Sequence, residues 1–402
     1  MNGDGMNLGR TVFSQLMDFI PQHTFRQAVR RHKGNRRVRR FSCWEQFLCM
    51  AFAQLTYRES LRDIEACLRS VGPKLYHSGL RTQVSRSTLA DANEHRPWMI
   101  YHDLALALIQ HARMLYAREQ KDNLIATELQ SALYAFDSTI IELCLSLFPW
   151  AHAWGHQKTS AGIKLHTLLH VPSQLPVFVR VTAASVHDVR ILDELTIEPG
   201  AHYVIDRAYL DFARLRRIDN AGAFFVIRAK ENLHFHRLYS HPANRSMGVI
   251  ADQTIALDVF YSREQYPDQL RRIRYFDAEH DRTLIFLSNN FVLDALTIAQ
   301  IYRSRWQIEL FFRWIKQHLR MKSFFGTSPN AVRTQIWTAL SIYVLVAIVK
   351  KELQLNQHSL YTILQILSIT LFEKEPIYQV LTKTQYQLYD PCPRNQLDLF
   401  NF

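Results

Sequence analysis

Cysteine is scarce in this chain, and the five present form no pattern. Cys43, Cys49, Cys67, Cys144 and Cys392 are odd in number and scattered, with no C-x2-C pair. That argues against a disulfide framework or a structural zinc and points to free thiols in a reducing compartment. A secretory leader is not expected, because MNGDGMNLGR carries no apolar core. Long hydrophobic runs are missing too. The longest, Ile336 to Val349, spans fourteen residues and includes Thr338 and Ser341, so a buried helix is expected and no membrane span. Acidic residues fall short of basic ones, 36 against 48, leaving a net charge of +12. An anionic partner is implied, nucleic acid before an acidic membrane, with a merely basic enzyme as the alternative. At 402 residues, 48% hydrophobic and 21% charged, the chain is globular and long enough for two or three domains.

The positive charge is concentrated early. After a short amphipathic segment, TVFSQLMDFI, comes RQAVRRHKGNRRVRR, in which eight of the fifteen residues 26–40 are Arg or Lys. Such a run repels itself unless a polyanion neutralises it. Arg30, Arg31, Arg36, Arg37, Arg39 and Arg40 are therefore candidate phosphate contacts, without base specificity. A disordered, solubilising arm is the alternative. Ser42-Cys-Trp-Glu45 is a capping box that predicts a helix to about Tyr57; ESLRDIEACLRS (59–70) and a helix opening at Ser87 follow. These allow a helix-turn-helix in which Arg86, Ser87, Thr88 and Asn93 face DNA, or simply a small bundle. A long helix, 97–118, leads out.

The chain then turns to strands. Residues 133–147, 163–171, 176–184, 202–210 and 223–230 read as strands, with helices at 185–195 and at 213–222, the latter closed by Gly222. The order is β-β-β-α-β-α-β, then an insert, then a helix: an α/β mixed sheet that begins with antiparallel strands. Lys164 and His166 alternate on the second strand and are expected on the face of Asp137. The insert, 231–298, has strand signals of its own in TIALDVFY, LRRIRYFD and RTLIFLSNN. Helices at 331–352 and 359–372 are expected to pack on the sheet.

Ala299 to Leu319, AQIYRSRWQIELFFRWIKQHL, contains no Pro or Gly and predicts one long helix. At about 100° per residue, Tyr302, Arg305, Glu309 and Lys316 fall within a stripe of roughly 60°. A carboxylate on that edge can hold a metal, while Arg, Lys and a phenol can hold phosphate oxygens. The plain alternative is a solvated face with an intrahelical Arg305–Glu309 pair.

The spacing Y-x2-R-x3-E-x6-K resembles the signature of the DDE transposases of the insertion-sequence four type. The resemblance covers most of the chain. It implies a ribonuclease H-like catalytic core with a β-rich insertion, behind a helical N-terminal domain. It implies that Glu309 is the last of three catalytic acids. Asp137, between Tyr134-Ala-Phe136 and Ser138, and Asp206, ending YVID, are the matching aspartates. In that strand order the first and fourth strands are neighbours, so the two acids meet and the Glu309 helix crosses them. Taken singly, Asp137 has the alternative of bonding Ser138 or Thr139, and Asp206 that of a helix cap or a pair with Arg207.

Asp137, Asp206 and Glu309 would hold two Mg2+ ions, with Mn2+ as a substitute. The implied chemistry is hydrolysis at transposon ends, then attack of the freed 3′-hydroxyl on target DNA. Tyr302, Arg305 and Lys316 would hold phosphates, and a homodimer would pair the two ends of double-stranded DNA. Rival readings are a hydrolysis-only nuclease of the same fold and a catalytically inactive DNA-binding relative. Some relatives hold a flipped base on a Trp in the insertion; residues 231–298 contain none, leaving Phe260, Tyr261, Tyr266 or Tyr275. The second-acid motif in relatives is D-R-G-Y, here D-R-A-Y, and Ala208 would be strained at positive φ. His187-Asp188 is a candidate fourth metal contact, general base or helix cap, and His234-x-His236 lacks the partners of a zinc site.

The expected domains are 1–120, helical and DNA-binding; 121–230 with 299–375, catalytic; 231–298, inserted; and 376–402, a tail. In that tail Gln396-Leu397-Asp398-Leu399-Phe400 resembles the peptide by which bacterial proteins dock on the DNA polymerase sliding clamp. Gln396, Leu397, Leu399 and Phe400 would be its anchors. A bacterial cytoplasmic location follows from the same resemblance.

Overall fold

Among the described residues, helices precede and follow a single sheet. The computed structural model describes residues 9–72, 74–81, 83–116, 131–151, 161–318 and 324–386. The chain divides into two compact units, residues 1–108 with 334–402, and residues 109–333. The residues beyond Arg333 group with the N-terminal unit.

The first unit opens with α1 (Val12–Met17), α2 (Gln22–Arg31), α3 (Cys43–Leu55), α4 (Leu61–Val71), α5 (Lys74–His77), α6 (Arg86–His95) and the start of α7 (Met99–Tyr116). The capping box at α3 is present in full: Ser42 Oγ accepts from Glu45 N, and Glu45 accepts from Ser42 N at 2.7 Å. Almost every residue of α3 is buried, which makes it the central helix. Phe25, Trp44, Phe47 and Tyr101 pack as one aromatic cluster around it. The late helices return here because the first residues bind them. Phe13 N donates to Leu371 O (2.8 Å), Val12 N to Glu373 O (2.9 Å), and Gln15 Nε2 to Glu375 O (2.7 Å).

The basic run is folded, not a loose arm. Phe25, Ala28 and Val29 bury one side of α2, and the cations face outward. In the turn that follows, Gly34 leaves no room for a side chain: a Cβ there would come within 2.3 Å of Ile100 Cδ1. Asn35 Oδ1 accepts from Cys43 N at 2.8 Å and holds the turn to α3.

The second unit is built on β1 (Leu133–Leu143), β2 (Ala161–His170), β3 (Leu175–Ala183), β4 (His202–Ile205), β5 (Phe224–Arg228), β6 (Phe235–His241), β7 (Val249–Leu257), β8 (Leu270–Asp277) and β9 (Arg282–Ser288). They form one nine-stranded sheet in the order β3-β2-β1-β4-β5-β9-β8-β7-β6. β1 is antiparallel to β2 and parallel to β4, and β5 is parallel to β4. This 3-2-1-4-5 order is a ribonuclease H-like core. The strands of the insert extend it, because β9 pairs antiparallel with β5. One face is sealed by Tyr134, Phe136, Tyr203, Ile205 and Phe225 against Ile191, Leu192, Leu215 and Ile218. The last two lie on α8 (Phe212–Asn220), which Gly222 follows at φ 71. Beyond the short α9 (Phe260–Gln265), α10 (Ala295–Arg303) lies over β4 and β5, and α11 (Trp306–His318) over β1.

Two local expectations are corrected. The 185–195 helix is a 3-10 helix, Asp188–Glu194, without a side-chain N-cap; the side chain of Asp188 is engaged elsewhere. The helix expected over 299–319 is broken at Ser304 and Arg305. Ser304 Oγ donates to Ile301 O at 2.6 Å, and Arg305 N turns instead to Tyr302 O at 3.1 Å. A hydroxyl has taken the carbonyl that a continuing α-helix needs, and the turn tightens to 3-10 geometry. The tighter turn of about three residues keeps Tyr302 and Arg305 on one edge.

After the break the chain continues through α12 (Pro329–Glu352), α13 (Leu360–Thr370) and α14 (Ile377–Tyr386). Among the described residues α12 alone is long and apolar enough to cross a membrane, yet 94% of its apolar window is buried, as the sequence predicts.

Candidate active site

The parallel ladder of β1 and β4 ends at the pair Phe136↔Ile205. Asp137 and Asp206 are the next residue on each strand. β4 stops there while β1 runs on, so two carboxylates stand at the lip of a step in the sheet. Asp137 lies opposite Thr167 on β2, and its side chain is 19% exposed. Burial pushes its carboxyl up to about 6; Arg305 and the Ser138 N–H oppose this, while Asp206 and Glu309 add to it. Asp206 occupies the N-cap position of the 3-10 turn Arg207–Tyr209 but makes no cap bond, which leaves its carboxylate for other work.

The third acid comes from the helix. Arg305, at the break before α11, donates from Nη1 to Asp137 Oδ2 (2.9 Å) and from Nη2 to Glu309 Oε1 (2.5 Å). One guanidinium therefore joins an acid of the sheet to an acid of the helix. Tyr302 is 9% exposed, its ring packs 4.7 Å from that of Phe286, and its hydroxyl reaches Asp206 Oδ1 at 3.4 Å. Burial first, then the charge of Asp206, raises its pKa against the influence of Arg305. Lys316 lies two turns beyond Glu309 on the same side of α11 and is half-buried. An open cavity of about 580 Å³ adjoins Asp206, lined by Arg207, Ala208, Lys230, Glu231 and Asn232.

Three hard oxygen donors converge here, which is the chemistry of a divalent-cation site. Two buried atoms beside Asp137 have no hydrogen-bond partner: Thr167 Oγ1, an oxygen of the kind such an ion takes, and Arg305 Nε, an N–H donor that suits a phosphate oxygen. Thr167 was not singled out from the sequence. Its register against Asp137 is set by strand pairing, and nothing in LHTLLH marks it.

Other sequence expectations fare differently. Ala208 is absent from the positive-φ residues, so the Gly-to-Ala departure carries no strain. Lys164 and His166 are on the opposite face from Asp137, because His166 pairs with Ser138 and Lys164 with Ile140. Asn93 does not face DNA: it is 1% exposed and accepts from Gln46 Nε2 at 2.8 Å. Arg86, Ser87 and Thr88 are exposed on α6, and Arg30, Arg31, Arg36, Arg37, Arg39 and Arg40 are exposed as well. Tyr266 is buried with its hydroxyl on Asp219 (2.5 Å), while Phe260 and Tyr261 are 68% and 72% exposed. His236 Nδ1 is engaged by Asp258. Gln396, Leu397, Leu399 and Phe400 lie outside the described residues.

Residues 129–345, more than half the chain and the span holding all three acids, match the Transposase DDE domain family. Residues 8–81 match a Domain of unknown function (DUF4372). A putative transposase, y4zB, of Sinorhizobium fredii is 35% identical over 65% of this chain and 70% of its own length. A probable transposase for insertion sequence element IS5377 of Geobacillus stearothermophilus is 35% identical over 53% of this chain and 55% of its own. A putative transposase for insertion sequence element IS4SA of Synechocystis is 23% identical over 71% of this chain and 77% of its own. A solved piggyBac transposase synaptic complex with hairpin DNA aligns over 95% of this chain and 81% of its own, at 11% identity and a TM-score of 0.45. Likeness at that level carries no argument. The family match does: the chain belongs to the DDE transposases, enzymes of DNA transposition that use a divalent metal.

Proposed function

We propose that Asp137, Asp206 and Glu309 are the catalytic acids and hold the metal, Mg2+ with Mn2+ able to replace it. The observation that carries this is the meeting of Asp137 and Glu309 on one arginine, with Asp206 brought to the same place by the end of the β1–β4 ladder and reached by the Tyr302 hydroxyl. Bound divalent ions supply activation of the attacking oxygen and stabilisation of the leaving oxygen. The residues of the chain do the rest. Asp137, held by Ser138 N, presents one oxygen toward the cleft. Arg305 offers a fork of N–H donors that can pass from carboxylates to a phosphate. Tyr302 and Lys316 flank the same edge and position the scissile phosphate. In the first step water attacks the phosphodiester at the element's end; a P–O bond forms and the bond to the leaving 3′-oxygen breaks, giving a 3′-hydroxyl. In the second that hydroxyl attacks a target phosphodiester and one P–O bond replaces another, so no external energy is needed.

The helical N-terminal unit binds double-stranded DNA, with Arg30, Arg31, Arg36, Arg37, Arg39 and Arg40 on phosphates. Their exposure on a folded backbone supports this. Two copies act on paired ends as a homodimer, and residues 396–400 dock on the sliding clamp in a bacterial cytoplasm. Phe260 or Tyr261 is the surface on which a displaced base stacks.

The test is an end-labelled duplex carrying the element's end, incubated with target plasmid and Mg2+. Joined products whose donor strand ends in the 3′-hydroxyl establish transposition. Nicking of the end duplex, with no joined product even from a pre-cleaved end, favours the nuclease reading.

A further inference from the structure

On the face of β1 turned away from the cleft lies a largely buried polar cluster that no step above uses. Ser138 is its centre. Its backbone N–H donates to Asp137 Oδ1 at 2.8 Å, and its hydroxyl donates to Asp188 Oδ1 at 2.9 Å. Asp188 also receives Lys164 Nζ at 3.1 Å, and Lys164 donates as well to Val186 O at 3.0 Å. His166 Nδ1 stands 3.5 Å from Asp188, while Nε2 meets Thr182 Oγ1 at 2.9 Å. Burial, with Lys164 and Arg180, lowers the His166 pKa to about 4, so the ring is neutral and Lys164 answers the charge of Asp188. Tyr209, at the end of the turn that Asp206 begins, packs edge-on against Phe136 at 5.0 Å from the same side.

The position of this cluster matters. Beyond Phe136 the strand has lost β4 and is laddered on its β2 side only. Asp137 is thus the first residue whose backbone lacks one neighbour, at the point where its carboxylate must be held against that of Asp206. A half-buried Asp–Lys pair is poor value as stability alone, since desolvation cancels most of its attraction. Its use is geometric. We infer that Asp188 is a positioning residue: through the Ser138 hydroxyl it fixes β1 where the ladder ends, sets the spacing of Asp137 from Asp206, and is itself held by Lys164. The inference rests on the assignment of those two aspartates as metal ligands. It replaces direct metal contact by Asp188, whose partners lie on the other face of the strand.

The experiment uses full-length protein with bound end duplex. Mn2+ affinity, thermal unfolding and duplex affinity are measured for wild type, Asp188→Asn, Ser138→Ala, Ser138→Thr and Asp137→Ala. Ser138→Ala removes only a hydroxyl, so it keeps the test alive if Asp188→Asn folds poorly. Positioning lowers Mn2+ affinity by roughly ten-fold or more in Asp188→Asn and Ser138→Ala. Duplex affinity stays within about two-fold, and Ser138→Thr restores metal binding. Wild-type Mn2+ affinity in both variants, with only the unfolding temperature lowered, overturns the inference and leaves a structural ion pair. If Asp137→Ala also binds Mn2+ like wild type, the metal assignment has failed, and the inference falls with it.

Discussion

Asp137 and Arg305 are 168 positions apart in the chain and 2.9 Å apart in the fold. The same guanidinium reaches Glu309, and it is 18% exposed, so it faces the cleft without being lost to water. Two acids that repel each other are brought together by a cation that can also bind phosphate.

Arg305→Ala removes that joint. Cleavage of the end duplex is expected to fall by about 100-fold or more, the scale of losing one preorganised donor. Arg305→Lys keeps the charge but not the fork, and should lie between. Single-turnover cleavage with saturating duplex reads both; an unchanged rate in Arg305→Ala would contradict the role.

Asp137 gives a pH signature to the metal-free protein. Its carboxyl sits at about 6 in the fold, pushed up mainly by burial, against roughly 4 when unfolded. Between those values the fold holds a proton that the unfolded chain has released, so stability from this group falls as pH rises from about 4 to 6, then levels. Asp137→Asn removes the slope. Relative to wild type it should gain on the order of 2–3 kcal/mol between pH 4 and pH 7. Urea unfolding with chelator at both pH values measures it, and parallel profiles would refute it.

Asn93 is a packing residue. Gln46 donates to it at 2.8 Å, and its own amide nitrogen meets Met50 Sδ at 3.5 Å. Asn93→Ala strands the Gln46 amide and should cost about 1–3 kcal/mol. Duplex affinity of the folded protein should not change; a selective loss of end recognition would return Asn93 to the DNA face.

The basic turn should be read through salt. Replacing Arg36, Arg37, Arg39 and Arg40 by Gln removes up to four phosphate contacts and should flatten the salt dependence of duplex binding by up to about 0.9 per contact. The unfolding temperature should hold, since all four are exposed. An unchanged slope would place the DNA elsewhere.

The sequence was informative where the signal was local. Ser42 and Glu45 cap α3 because a capping box needs only four residues. Arg305 and Glu309 are legible as one edge because they are four apart, and the 3-10 turn at the break keeps Tyr302, three before Arg305, beside them. Partner-dependent features were hidden. The break at Ser304 depends on a hydroxyl capturing the Ile301 carbonyl. The face of His166 depends on its register with Ser138, where a slip of one residue reverses every side chain. The union of β9 with β5, and of Leu371 and Glu373 with the first residues of α1, are long-range pairings that no window of sequence contains.

The central claim is that Asp137, Asp206 and Glu309 form one metal-dependent site. Its most direct test is cleavage of a labelled end duplex in Mg2+ by wild type, Asp137→Ala, Asp206→Ala and Glu309→Gln, with duplex binding measured in parallel. The account predicts cleavage by wild type alone, at similar duplex affinity in all four. Cleavage that survives any one of these substitutions would contradict it.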